Sequence, residues 1–328
     1  MTDEPREAEL KPLAEAVAPD GARFPLYGLR RDAGPGRRPV VLVAAAMGTP
    51  GGYYRRLVRE LHGAGATAAV YDFRWQGDRP RDPAPCGYAE LVEDLRAALA
   101  AVREEFPGAP AVVLGHSLGG QLALLQAAEA AAAGEPGPDA VALVASGSVH
   151  HRAYGARGPG LLAFGQFMAA FATVRGRWPG FGFGGVQPPG VIRDWAHQAR
   201  TGRYRLRPHG ERVDERLRTL RLPVLGVGVE GDSLAPPRAL DHLCAKVPEA
   251  EVERWRYTAE LAGAERLDHF RWTRHGGALA RYVTEWAARV TGRPDRTGDT
   301  GRTGDTGQNG RNGRNGDTGH PPRTPRGV

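Results

Sequence analysis

The chain has 328 residues, of which 41% are hydrophobic, and it carries a formal net charge of +7. That length and apolar content allow a large buried core and exclude a wholly disordered protein. The positive charge comes almost entirely from arginines, which are spread along the chain instead of clustered with stacking aromatic residues, so we predict no nucleic-acid partner.

The two ends of the chain are predicted to lie outside the folded core. Residues 1–20 are polar and interrupted by proline, and we expect them to be loosely ordered. Their charged start differs from the apolar run of a secretory signal, which favours a cytoplasmic location. Residues 292–328 repeat Arg-Thr-Gly-Asp-Thr-Gly without apolar side chains to bury, so we predict a disordered tail.

Strand and helix patterns alternate between these ends. Strands are predicted at 24–30, 40–46, 66–73, 111–114, 140–146, 223–229 and 252–257. Helices are predicted at 53–62, 88–106, 118–133, 236–247 and 277–290. This alternation predicts an α/β fold with a doubly wound, mostly parallel sheet. Its core would comprise residues 21–149 and 216–291, with residues 150–215 inserted as a lid.

A Gly-His-Ser-Leu-Gly motif lies between a predicted strand and a predicted helix, with Ser117 at its centre. This is the context of a nucleophile elbow, in which the flanking glycines permit a sharp turn that exposes the serine hydroxyl. The N–H of Leu118 opens the following helix, and we predict that it donates to an oxyanion.

A second oxyanion donor is expected from the loop after the predicted strand 40–46. That strand ends in small residues, and its last backbone N–H groups belong to Ala46 and Met47. Either amide fits the role, because a backbone donor depends little on the identity of its side chain.

An acidic residue that follows the predicted strand 223–229 is expected to orient the catalytic base. The carboxyl ends of parallel strands are where catalytic groups collect in an open sheet. We favour Asp232, which lies in the loop and is free to turn inward. Glu230, at the strand end, is the rival acid.

The catalytic base is predicted to be His269, which lies between the edge strand 252–257 and the last helix. It would take the proton of Ser117 and return it to the leaving group, while Asp232 fixes its tautomer. His275, six positions later, is the rival base and is expected to begin the last helix.

The lid carries the information about substrate. Residues 160–174 are apolar, with aromatic side chains at helical spacing, and we predict that they roof an acyl pocket. The run is too short to span a membrane, and contact with a membrane surface is the less favoured alternative. Residues 178–190 are rich in glycine and proline and are predicted to form a loop or hinge.

The charge of the lid bears on the kind of ester. Residues 151–215 contain ten arginines against four acidic residues. This balance disfavours a substrate ammonium and fits neutral or anionic esters and thioesters.

Residues 24–290 resemble the α/β-hydrolase superfamily, in particular its lysophospholipase and serine-aminopeptidase-like branch. Besides Gly-His-Ser-Leu-Gly-Gly at 115–120, the resemblance rests on Tyr-Asp-Phe-Arg-Trp-Gln-Gly at 71–77, Gly-Gly-Tyr-Tyr-Arg at 51–55 and Val-Ile-Arg-Asp-Trp at 191–195. The resemblance implies the α/β-hydrolase fold, a Ser-Asp-His order of catalytic residues and a helical lid after the sixth strand. The chain departs from that branch in Trp75-Gln76 and in lacking His-Gly at the oxyanion loop.

The sequence therefore predicts a serine hydrolase that cleaves small-molecule carboxylic esters or thioesters through an acyl-enzyme. No metal and no cofactor are expected, since Cys86 and Cys244 lie in unrelated segments without ligand spacing. Two alternatives remain: a peptidase of the proline-iminopeptidase kind, and a non-catalytic binding protein on the same scaffold.

Overall fold

The fold is that of a computed structural model, which describes residues 10–31, 38–76, 86–206 and 213–292. The predicted tail lies outside the described residues apart from Gly292, as do residues 1–9. The described chain contains eight strands. They are β1 (Lys11–Val17), β2 (Arg23–Leu29), β3 (Val40–Ala44), β4 (Thr67–Val70), β5 (Ala111–His116), β6 (Ala140–Val144), β7 (Pro223–Val229) and β8 (Glu251–Tyr257).

These strands form one sheet in the order β1-β2-β4-β3-β5-β6-β7-β8. Strands β3 to β8 pair in parallel, whereas β1 and β2 are antiparallel to their neighbours. All residues of β3, β5 and β6 are buried, as expected for strands that are covered on both faces. The predicted α/β architecture with a mostly parallel sheet is confirmed.

Nine α-helices accompany the sheet in the described chain. They are α1 (Arg55–Gly63), α2 (Tyr88–Glu105), α3 (Leu118–Ala133), α4 (Gly158–Arg175), α5 (Pro189–Thr201), α6 (Val213–Arg218), α7 (Pro237–Cys244), α8 (Ala259–Ala262) and α9 (Gly277–Thr291). Helix α1 packs against α9, and α2 packs against α3. These pairs flank the sheet and place its apolar strands in the core.

The expectation of a loosely ordered stretch up to residue 20 is wrong for Lys11–Val17, which forms β1. This strand pairs with β2 along its length, with an irregularity in register between Pro12 and Ala14. An edge strand tolerates proline because one row of its backbone groups needs no partner in the sheet. The chain order therefore begins with an antiparallel β1–β2 pair.

The Tyr-Asp-x-Arg motif at residues 71–74, after β4, makes hydrogen bonds to neighbouring helical segments. Asp72 accepts a 2.6 Å hydrogen bond from the N–H of Gly51, where a short 3-10 helix (Gly51–Tyr54) leads into α1. Arg74 makes two hydrogen bonds, at 2.8 and 2.6 Å, to the buried carboxylate of Asp94 on α2. The motif therefore connects the loop after β4 to the elements around the sheet.

The segment between β6 and β7 contains a 3-10 segment (His151–Arg157) followed by α4, α5 and α6. Helix α4 covers the apolar run at 160–174 and packs against α5. In the loop between them, the backbones of Trp178 and Gln187 exchange two hydrogen bonds, at 2.8 and 2.9 Å. No described helix combines the length and the apolar content that crossing a bilayer requires.

Candidate active site

Ser117 stands alone between β5 and α3, where the chain turns sharply from strand to helix. Its φ of 53° and ψ of −114° place a non-glycine residue in a strained region of backbone space. A Cβ on Gly115 would collide with the backbone of Gly120, and a Cβ on Gly119 would collide with the carbonyl of Ala44. Only glycine fits at both positions, which is why the motif keeps them on either side of the serine.

Asp232 and His269, which the sequence pairs as acid and base, are in direct contact. The Nδ1 of His269 lies 2.9 and 3.0 Å from the two carboxylate oxygens of Asp232. Oδ1 of Asp232 also accepts 2.8 Å hydrogen bonds from the N–H groups of Leu234 and Ala235. The carboxylate is fully buried and thereby fixed in orientation, so it holds the imidazole with Nε2 directed away from it.

The rival residues have other partners. Glu230 accepts a 2.7 Å hydrogen bond from the N–H of Ala259 at the start of α8, and it faces Arg256 at 3.7 Å. His275 closes a 3-10 segment (Arg271–His275), and its carbonyl accepts from the hydroxyl of Tyr257. Neither rival contacts the Asp232–His269 pair.

Ser117 and His269 open into the same cavity, whose volume is about 450 Å³. Its apolar wall is contributed by the oxyanion loop, by the turn after β6, and by α4, α5 and the loop between them. These residues are Met47, Val149, Leu161, Phe164, Phe183 and Trp195. The described lining contains no aspartate or glutamate, and Arg157 is its only arginine or lysine.

The structure separates the two candidates for the second oxyanion donor. The N–H of Ala46 donates a 2.8 Å hydrogen bond to the hydroxyl of Tyr54, so this amide is already engaged, which favours Met47 as the donor. Met47 lines the cavity together with Leu118. Within the described chain neither of these two N–H groups donates a hydrogen bond, which leaves both amides available to a ligand.

The loop after β3, which contains Met47 and Gly48 and is the candidate oxyanion loop, is held from two sides. With its amide oriented to satisfy both neighbours, Gln76 donates to the carbonyl of Thr49 and accepts from the N–H of Gly48, each at 3.1 Å. Gly184, in the loop between α4 and α5, packs so closely that a Cβ there would meet the sulfur of Met47. The departure at Gln76 therefore has a structural role.

The model of the family described as "Serine aminopeptidase, S33" matches residues 35–207, which is more than half of the chain. The chain belongs to this family of α/β-hydrolases. The match includes Ser117 and Met47 and ends before Asp232 and His269. The positions of Asp232 and His269 relative to Ser117 are therefore known from the structure alone.

Solved structures resemble this S33-family chain over most of its length. A monoglyceride lipase from Saccharomyces cerevisiae aligns with a TM-score of 0.64, 16% identity and coverage of 88% of this chain and 97% of that one. Brefeldin A esterase, a bacterial homologue of human hormone-sensitive lipase, aligns with a TM-score of 0.56, 21% identity and coverage of 89% and 80%.

A thioesterase domain from the curacin biosynthetic pathway aligns with a TM-score of 0.51, 15% identity and coverage of 84% and 99%. At such identities these likenesses establish the shared fold of the S33-family chain and nothing finer. A search of curated protein sequences finds no match.

Sequence reasoning missed one residue of this S33-family site, His116, whose ring is completely buried beside Ser117. Its Nε2 lies 2.8 Å from the carbonyl of His269, and its Nδ1 lies 2.8 Å from the hydroxyl of Tyr54. Nε2 also faces the indole N–H of Trp272, but at 3.4 Å. The carbonyl of His269 is closer and only accepts, so we assign the proton to Nε2, and Nδ1 then accepts from the tyrosine. Burial, together with the neighbouring His269, holds the pKa of His116 well below its usual value and keeps the ring neutral.

The hydrogen bonds of His116 join three parts of the site. The hydroxyl of Tyr54 accepts from Ala46 in the oxyanion loop and donates to His116, which in turn donates to the backbone of His269. The signal in the sequence was an imidazole at the end of an otherwise apolar buried strand, which requires a polar partner on each nitrogen.

Proposed function

We propose that the chain is a serine hydrolase that cleaves carboxylic esters or thioesters through an acyl-enzyme. The observation that supports this most strongly is one cavity that contains Ser117 and His269, with Asp232 behind the imidazole. A largely apolar cavity with a few convergent polar groups is the usual form of a small-molecule site.

In the proposed first step, Oγ of Ser117 attacks the acyl carbon while Nε2 of His269 takes the hydroxyl proton. Asp232 keeps Nδ1 protonated and stabilises the imidazolium that forms. The carbonyl oxygen becomes an oxyanion, which the N–H groups of Leu118 and Met47 bind. Donors of this kind that are already in place are worth roughly 10²- to 10³-fold in rate each.

In the second half of the cycle, the tetrahedral intermediate collapses and the bond to the leaving group breaks. His269 gives its proton to the departing alcohol or thiol, and the acyl group stays on Ser117. Water then enters, gives a proton to His269 and attacks the acyl carbon. Collapse of that second intermediate releases the carboxylic acid and returns the proton to Ser117.

The family's description names an aminopeptidase, whose substrates are peptides with a free amino terminus. The lining of this cavity favours esters over such peptides. A free amino terminus is an ammonium, and a pocket that selects it needs a carboxylate nearby. The described residues of the cavity wall provide none, and the carboxylate of Asp232 is occupied by His269 and two backbone amides. An uncharged acyl chain suits these apolar walls.

Para-nitrophenyl esters of increasing acyl length provide the test. We expect turnover by the natural chain and a loss of at least about 10⁴-fold in kcat for Ser117→Ala, since removing the nucleophile removes the acyl-enzyme route. A fluorophosphonate should label Ser117 and leave Ser233, another serine of the same cavity, unmodified; mass spectrometry distinguishes them.

Two outcomes would contradict the ester proposal. Faster turnover of aminoacyl arylamides than of every ester would identify an aminopeptidase of the proline-iminopeptidase kind. Absence of both labelling and turnover would identify a binding protein on this scaffold.

A further inference from the structure

Arg157 introduces a positive charge into a cavity that is otherwise lined by apolar and uncharged polar groups. It ends the 3-10 segment that leads into α4, and its Nη1 donates a 3.1 Å hydrogen bond to the carbonyl of Ser233. Tyr154, one turn earlier, donates a 2.8 Å hydrogen bond to the carbonyl of Leu234. Both side chains thus contact the loop after Asp232, and the guanidinium of Arg157, an exposed residue, lines the cavity.

The charge of Arg157 has no counterion in the described structure. Among the described residues no carboxylate lies within ion-pair distance of it, whereas Arg216 pairs with Glu129 on α3. A guanidinium has five N–H donors, and here one of them is occupied by Ser233. The remaining donors form a planar fork that matches a carboxylate or phosphate.

Two uncharged polar side chains of the cavity, those of Gln121 and Tyr154, are hydrogen-bonded to the scaffold. The amide of Gln121 donates 2.9 Å to the carbonyl of Gly147 and accepts 3.1 Å from the hydroxyl of Tyr204. The hydroxyl of Tyr154 is bound to Leu234. Arg157 is therefore the side chain best placed to recognise a polar group of a substrate away from the reacting carbonyl.

We propose that Arg157 forms a subsite for an anionic group, so that this enzyme prefers esters or thioesters bearing a carboxylate or phosphate on the part that lies against residues 233–235. The proposal rests on the proposed ester hydrolysis and narrows its substrate class. The lack of acidic residues in the described lining fits this preference, since no negative charge there would repel the anion.

Matched substrate pairs test the subsite. The first pair is para-nitrophenyl hexanoate and the mono-para-nitrophenyl ester of adipic acid. Their acyl chains have the same length, but the first ends in a neutral methyl group and the second in a carboxylate. In the second pair, monohexanoyl glycerol and its phosphate differ in the same way on the alcohol side. We expect the anionic member of one pair to have about threefold to tenfold higher kcat/KM, the size of a partly exposed ion pair, and the preference to shrink at high salt.

Each ratio is read within one variant, so that a general loss of activity cancels. Arg157→Gln should abolish the preference, and Arg157→Glu should reverse it. Arg152→Gln is the matched control, because Arg152 is an exposed arginine on the same 3-10 segment that does not line the cavity, and it should keep the natural ratio. Equal ratios for Arg157→Gln and the natural chain in both pairs would overturn the subsite.

Binding to the Ser117→Ala chain separates this inference from the proposed reaction. Calorimetric affinities of the same pairs need no turnover, and we expect the anionic member to bind about threefold to tenfold more tightly. Loss of that difference in Ser117→Ala/Arg157→Gln supports the subsite even if no ester is hydrolysed. Hydrolysis of neutral esters without any charge preference in rate or affinity rejects the subsite and leaves the proposed function in place.

Discussion

At the scale of single residues, the two acidic residues that follow β7, Glu230 and Asp232, have separate roles. Asp232 faces the imidazole of His269, whereas Glu230 caps the N–H of Ala259. We predict that Asp232→Asn lowers kcat by roughly 10³- to 10⁴-fold, because an amide beside Nδ1 favours the wrong tautomer and cannot stabilise an imidazolium. Steady-state kinetics on a para-nitrophenyl ester would measure this.

Glu230→Gln is the matched control for that change, since it alters a carboxylate two residues away. We expect it to change kcat less than about threefold, because its oxygen still accepts from Ala259. Comparable losses in both variants would show that the loop as a whole, and not the Asp232–His269 contact, carries the effect.

The hydroxyl of Tyr54 is predicted to support both stability and catalysis. Tyr54→Phe leaves the buried N–H of Ala46 and Nδ1 of His116 without a partner, which costs about 1–3 kcal/mol per group. The neighbouring Met47 amide is then less well fixed, so kcat should fall while KM changes little. Urea unfolding and steady-state kinetics together measure the two effects.

Tyr53→Phe controls for the loss of a tyrosine hydroxyl next to that position. Its hydroxyl donates 2.9 Å to the carbonyl of Phe270 at an exposed site, so water replaces the bond and the expected cost stays within about 0.5 kcal/mol. A Tyr54→Phe chain that matched Tyr53→Phe in both stability and kcat would show that the network does not position the oxyanion loop.

At the scale of elements, the elbow requires β3, β5 and α3 to approach one another closely. A Cβ on Gly119 would overlap the carbonyl of Ala44 on β3, and neither backbone can move without separating helix and sheet. We predict that Gly119→Ala lowers the free energy of unfolding by more than about 4 kcal/mol, or prevents folding. Soluble yield and urea unfolding would measure the loss.

Gly63→Ala provides the comparison within the same protein. Gly63 ends α1 with no atom within 4 Å of its added Cβ, so alanine should change stability by less than about 1 kcal/mol. If Gly119→Ala were equally mild, the close approach of α3 to β3 would not be required.

The elements that were predictable from the sequence have local signals. Both ends of α3 and of β7 agree with the pattern of apolar residues and the flanking turn residues. Strand β1 was missed because its order depends on pairing with β2. A short polar segment carries no local signal of such pairing. The choice between Ala46 and Met47 depended on the hydrogen bond between Ala46 and the hydroxyl of Tyr54. This is a tertiary contact, and no periodic pattern in the sequence indicates it.

At the scale of the whole molecule, a histidine cluster links the insertion to α7. The ring centroid of His150 lies 4.8 Å from that of His151 and 5.1 Å from that of His242. Burial, helped by these neighbours and by Arg152 and Lys246, lowers the pKa of His150 from 6.5 to about 4. Protonation of His150 therefore opposes the packing of the insertion on the core.

A partly buried acid on the same insertion has the opposite dependence. Asp194 on α5 accepts a 2.9 Å hydrogen bond from the N–H of Tyr88, the first residue of α2. Burial raises the pKa of Asp194 from 3.8 to about 6. The folded chain thus binds a proton at Asp194 more readily than the unfolded chain does, so this group adds stability as the pH falls through about 6 toward 3.8.

The two groups predict opposite changes in the acid branch of the stability profile. For His150 the unfolded chain binds the proton first, so its contribution to stability is lost as the pH falls from 6.5 toward 4. His150→Gln should therefore flatten the decline of Tm across that range. Asp194→Asn should steepen it, because the stabilising protonation is gone. Calorimetric scans at closely spaced pH values measure both slopes, and a profile that either substitution leaves unchanged would refute the assignment of that group.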